Sequence, residues 1–150
     1  MKSVFTKEGT DEIIGRIKQL TPQTHAKWGK MNVGQMLAHC NVTYDYVFTD
    51  KYPKPDGVKK WMLKFFVKPI VVGDKPYQKN GRTAPDFVMT TEKDFEAEKK
   101  RLIDHLNKVL ELGEEHFDKK ESHSFGVLKK AEWNNMFYKH LDHHLGQFGV

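Results

Sequence analysis

His140 and His144 stand four residues apart near the end of the sequence, inside "YKHLDHHLGQFG". That spacing suits metal ligation. Two imidazoles at i and i+4 on a helix have Cβ atoms about 6 Å apart, so both rings reach one ion. Neutral imidazole is also the commonest metal-ligating side chain near neutral pH. On a helical wheel both fall in the middle of the face that carries Trp133, Met136, Phe137 and Phe148. His143 lies on the edge of that face and Asp142 opposite it. The alternative is a pair of core histidines satisfied by hydrogen bonds, which demands a partner for every buried ring nitrogen. The HExxH arrangement of zinc proteases is absent, because Leu141 follows His140.

A shared ion needs at least one more ligand. His39, His25, His105, His116 and His123 are the candidates. His25, His116 and His123 lie in loop-like sequence, and His105, beside Leu106 on a highly charged helix, is expected to be exposed. His39 fits best, at the margin of a stripe that includes Met36 and Cys40. Cys40 itself reads as a small core residue. The pattern assigns no general base. His143, Asp45 and His123 are candidates, with surface or supporting roles as the alternative. Trp28, Tyr44, Trp61 and Phe65 are expected as core, with pocket lining as the alternative.

The apolar spacing that must position these groups is mostly helical. A first helix is expected over Thr10 to Leu20, capped by Thr10 and stopped at Thr21-Pro22. A second starts at Asn32, with Gln35 as its capping-box partner, and buries Val33, Met36, Leu37, Cys40, Tyr44, Val47 and Phe48. Val58, Trp61, Met62, Phe65 and Phe66 predict a shorter helix closed by Pro69. "VGDKPYQKNGRTAPDF" is a long connection of the kind that often binds or covers ligands. A further helix is expected from Thr91 to near Gly113, then a loop, "GEEHFDKKESHSFG", then a last helix over about Ala131 to Phe148. Ile70 to Val72 is the only β-branched run. The expected fold class is all-α, a bundle of four main helices with one extra short helix and long connecting loops.

The 150 residues are expected to form a single domain over 1–150. Cys40 is the only cysteine, so no intrachain disulfide exists. No stretch reads as a signal peptide or a membrane span, so a cytoplasmic protein without a membrane partner is expected. The net charge is +5, concentrated in nine basic residues from Lys51 to Arg82 against Asp56 and Asp74. No nucleic-acid motif accompanies them, which leaves a solvated lysine-rich surface as the expected reading.

"WGKMNVGQMLAHC" and "EWNNMFYKHLDHHLGQFG" resemble the DinB/YfiT-like superfamily of metalloenzymes, the damage-inducible helical proteins rather than the DNA polymerase. A branch of that superfamily carries a tryptophan before a "QMLAH"-like helix, an "H-x-F-G" loop and an "HLDHHL-x-QFG" ending, and "HSFG" at His123 to Gly126 fits the middle element. The resemblance runs from Trp28 onward and implies an up-and-down four-helix bundle. It implies His39, His140 and His144 as ligands, followed by a G-Q element at Gly146 and Gln147. Where many members have Arg, this chain has Leu145. Zinc or nickel suits such imidazole ligands. The superfamily includes transferases and isomerases that use small thiol cofactors. The resemblance therefore implies thiol-dependent transfer or hydrolysis on a small-molecule substrate. A non-catalytic metal-binding or stress-response protein is the other expectation, with a homodimer compatible with either.

Overall fold

The computed structural model describes residues 2–150. Its elements run α1 (Lys7–Gln19), α2 (Val33–Phe48), α3 (Gly57–Met62), a π turn (Leu63–Val67), α4 (Lys68–Val72), a 3-10 turn (Pro85–Phe87), α5 (Phe95–Phe117), β1 (Lys120–Ser122), β2 (Gly126–Leu128) and α6 (Lys130–Gln147). The protein is mostly helical, as expected. α5 packs against α1, α2 and α6, and α6 also touches α1, α2 and α4.

Local chemistry sets the helix starts. Asn32 accepts from the Gln35 amide while the Gln35 side chain accepts from the Asn32 amide, so the predicted capping box is formed. Two other caps differ from expectation. α1 begins earlier, with Thr6 accepting from Gly9 N, while Thr10 is buried and donates to the Val4 carbonyl at 2.7 Å. α5 is capped by Asp94, not Thr91. In both cases the short polar side chain nearer the true end reaches the N3 amide. The backbone leaves helical geometry at Gly113 (φ 73°), and one more turn follows to Phe117.

The core forms where the apolar stripes meet. Ile13, Ile17, Leu37, Leu102, Leu106 and Trp133 are at most 1 % exposed. Phe137 sits at the centre, stacked on Tyr44 at 5.2 Å between centroids and packed edge-on against Phe117 at 5.5 Å. Tyr44 in turn stacks on His105, which is half-buried and bonded through Nδ1 to Asn41 at 3.1 Å. The expectation that His105 is exposed is therefore corrected: its face of α5 meets α2 at Asn41 and Tyr44.

Two further expectations are corrected. "KESHSFGVL" is not irregular but a short antiparallel hairpin, with Ser122 opposite Gly126 and "HSFG" at its tip. The run over 57–72 does not close at Pro69; it continues as α4, with a π turn in its middle. Nor does it feed the core. Trp61 and Phe65 are 54 % and 56 % exposed, because contacts on the opposite side fix its orientation.

That opposite side is held by α6. Lys139, 5 % exposed, donates to the carbonyls of Ile70 and Gly73. Asn135 donates to the Val72 carbonyl at 2.9 Å and to Asp74 at 2.7 Å. Lys68 pairs with Glu132 at 2.9 Å. The α4 carbonyls left open at its end are thus satisfied by α6 side chains.

Truncating Phe137 removes the ring that four aromatic neighbours pack on. Phe137→Ala is expected to cost about 3–5 kcal/mol in urea denaturation. Phe65→Ala, on the exposed run, is expected to stay within about 0.5 kcal/mol of the parent protein.

Candidate metal centre

α2 and α6 cross so that His39 meets His140 and His144. All three are nearly buried, 5 %, 9 % and 8 % exposed. One ring nitrogen from each lies within 4.8 Å of the others. His39 Nε2 and His140 Nε2 are 3.0 Å apart, and the His39 and His144 ring centroids are 4.5 Å apart. Two nitrogens at about 2.0–2.1 Å from one tetrahedral ion lie about 3.4 Å from each other, so this spacing fits a shared divalent cation.

The outward-facing nitrogens are each occupied. His39 Nδ1 bonds the Phe87 carbonyl at 2.8 Å. His144 Nδ1 bonds Gln147 Oε1 at 2.8 Å, and Gln147 Nε2 donates to the Trp28 carbonyl at 2.7 Å. His140 Nδ1 bonds the Thr43 hydroxyl at 3.0 Å. The acceptors dictate the tautomers. A carbonyl oxygen can only accept, so His39 and His144 carry their proton on Nδ1 and present a bare Nε2 inward. Thr43 can donate or accept, which leaves His140 free to carry its proton on either nitrogen. Without metal, His140 Nε2 donates to His39 Nε2; with that nitrogen ligating, Nδ1 donates to Thr43. Such outer partners orient metal-binding histidines.

Electrostatics agrees with this geometry. Burial lowers the His39 pKa, against an opposing contribution from its bond to Phe87. Burial, then the neighbouring His144 and His39, holds His140 well below its ordinary value. Burial and then His39 bring His144 down to about 3, with the Gln147 bond opposing. The three rings stay neutral at neutral pH, the state a metal ligand needs. Three neutral imidazoles this close together are a donor set that could hold a metal ion. Among the described residues no fourth His, Cys, Asp or Glu joins the group.

The other expected residues separate from it. His143 lies at the rim, 5.0 Å from the His144 ring, 5.6 Å from Tyr77 and 6.0 Å from Trp28. Asp45 faces α5 instead, paired with Arg101 at 3.5 Å and Lys51 at 3.7 Å. His123 stacks on Tyr46 at 3.8 Å and bonds Ser124 and the Tyr52 carbonyl. Cys40 is a core residue, 1 % exposed, its thiol pKa pushed up by burial. Sequence reasoning did not find Thr43, Phe87 or Tyr77. Thr43 is four residues after His39, on the same helix face, and that spacing is the only signal it carried. Phe87 and Tyr77 come from the long connection, where no periodicity ranks one residue over another.

One loop conformation supports the Gln147 contact. Gly29 adopts φ +84°, and a Cβ there would stand 2.5 Å from Gln147 Nε2. Glycine is required for both reasons, the left-handed backbone and the close approach.

The chain belongs to the family described as "Protein of unknown function (DUF1569)". The match spans residues 3–149, and so covers the three histidines, Thr43 and Gln147. No curated protein and no solved structure matches the chain. Membership of DUF1569 thus places this histidine cluster in a family without adding a substrate to it.

The lowered pKa values make metal-free stability depend on pH. The unfolded imidazoles take up protons near 6.5, while the folded ones resist to lower pH, down to about 3 for His144. Between those values the unfolded state binds more protons, so stability falls as pH falls. Chelator-treated protein is expected to lose urea resistance between about pH 7.5 and about pH 5. A His144→Ala variant is expected to show a shallower decline over the same range.

Proposed function

We propose that this protein is a metal-dependent enzyme that holds one zinc or nickel ion on His39, His140 and His144. In this reading it acts on a small molecule by thiol-dependent transfer or by hydrolysis, on a DinB/YfiT-like four-helix bundle. One observation carries it: three buried, neutral imidazoles converge, each with its other nitrogen already bonded, and among the described residues no fourth His, Cys, Asp or Glu closes the set. Structural zinc sites are normally closed by four protein ligands, whereas catalytic ones keep a position open.

When bound, an ion with open positions supplies Lewis acidity to a thiol, a carbonyl or a water molecule. The protein's own residues do the rest. The Phe87 ring packs edge-on against His39 at 5.3 Å and His140 at 6.0 Å, which keeps bulk water off that side. Gln147 and the Phe87 carbonyl hold two rings in their tautomers. His143 sits half-buried at the rim with its pKa lowered by burial, against the pull of Asp142. In this reading His143, next to His144, takes the proton from a reacting thiol or water. Trp28, beside it, supplies an aromatic wall, with Lys79 Nζ 4.3 Å from its ring.

Metal analysis of protein purified without a histidine tag is expected to give one equivalent of zinc or nickel. The His140→Ala/His144→Ala variant is expected to give none; equal metal in both preparations overturns the ligand set. Gln147→Leu is expected to weaken metal affinity about 10- to 100-fold by competitive chelation. His143→Ala is expected to keep the metal and lose turnover in a screen of small thiols with electrophiles, and of esters and amides. Silence of the fully metallated parent protein across both screens would instead support the non-catalytic metal-binding reading.

A further inference from the structure

The run over 57–72 exposes side chains that a globular protein normally hides. Val58, Trp61, Met62, Phe65, Phe66 and Ile70 are between 51 % and 75 % exposed. Single exposed apolar residues are ordinary, but a contiguous set on one helical segment marks an interaction surface. An open groove of about 440 Å³ runs along it between Val58, Met62 and Phe66.

The exposure is enforced. On the side facing the protein, Lys60 pairs with Glu121 at 3.2 Å and Lys68 with Glu132 at 2.9 Å. Lys139 and Asn135 hold the carbonyls of Ile70, Val72 and Gly73. Rolling the run to bury Trp61 or Phe66 would break those contacts and strand a buried lysine.

Charge decides what covers the face. The run contains Lys59, Lys60, Lys64 and Lys68 and no acidic residue. Lys59 and Lys64 are exposed beside the apolar strip, with no carboxylate paired to either among the described residues. Lys54, exposed just before the run, adds to the same field. A second copy would meet this face with the same face, because a two-fold interface is self-complementary, and the lysines would confront lysines. An anionic bilayer offers both complements: phosphate headgroups for the lysines and an acyl boundary for the aromatic rings. Tryptophan beside long lysines is the composition of that boundary layer.

We propose that residues 57–72 form an interfacial anchor that lies on an anionic phospholipid bilayer, with Trp61, Phe65 and Phe66 in the acyl boundary and Lys59 and Lys64 at the headgroups. A helix lying on a membrane needs no spanning length, so the lack of a helix long and apolar enough to cross one does not bear on it. The anchor is independent of the metal reading.

The full-length protein is tested by co-sedimentation with vesicles of phosphatidylcholine alone and of phosphatidylcholine with about one-third phosphatidylglycerol. Binding is expected to the anionic vesicles only, weakened at high salt, with a blue shift of tryptophan emission. Phe65→Ser/Phe66→Ser is expected to weaken binding about tenfold or more. Lys59→Glu/Lys64→Glu is expected to abolish the preference for anionic vesicles. Both pairs sit at exposed positions, and unchanged circular dichroism and urea midpoint confirm the fold. No binding, or equal binding to neutral vesicles, overturns the proposal. So does a dimer in light scattering that disappears in Phe65→Ser/Phe66→Ser while the parent protein ignores vesicles.

Discussion

Three imidazoles are enclosed together with no carboxylate among them, and the surrounding structure answers that constraint. Each ring brings two polar nitrogens out of water, and each unsatisfied nitrogen would be costly. The protein spends a backbone carbonyl, a threonine hydroxyl and a glutamine amide on the outward nitrogens. The inward ones are left facing each other. That arrangement is poor for the metal-free fold, where only one of three inward contacts can be a good hydrogen bond, and well suited to a shared cation. The two states differ in which nitrogen of His140 carries the proton, and Thr43 can serve either one.

α6 carries most of the consequences. One face of this helix supplies Trp133 and Phe137 to the aromatic core and, two turns later, His140 and His144 to the site. Its flank supplies Asn135 and Lys139, which cap α4 and fix the outward-facing strip. Its last turn supplies Gln147, which reaches back to Trp28 in the loop before α2. Core, centre and strip therefore share one rigid element. Their relative placement is set by helical phase rather than by flexible connections.

The parts legible in the sequence are those decided by phase within a single helix. His140 and His144 could be placed on the apolar face because 100° steps require it, and the Asn32 box because both members lie within one turn. Phase does not say which face another helix will choose. The stripe from Val58 to Phe66 reads the same whether it points inward or out; Lys139 and Asn135, more than sixty residues away, make the choice. The burial of His105 is invisible for the same reason, since its partners Asn41 and Tyr44 lie on α2. The hairpin leaves no sequence pattern because three-residue strands are too short to show alternation. The outer partners of the three histidines include a carbonyl from a 3-10 turn and an amide whose role emerges only when Trp28 folds back, and neither has a local signature.

Tyr77 joins two regions that otherwise have separate roles. Its hydroxyl donates to the Val71 carbonyl at 3.1 Å, and its ring lies 6.3 Å from His140 and 5.6 Å from His143. It acts as a strut between α4 and the rim of the histidine cluster. The position of α4 and the outer edge of the histidine cluster are thus joined through one aromatic side chain, although α4 itself contributes no histidine to the cluster.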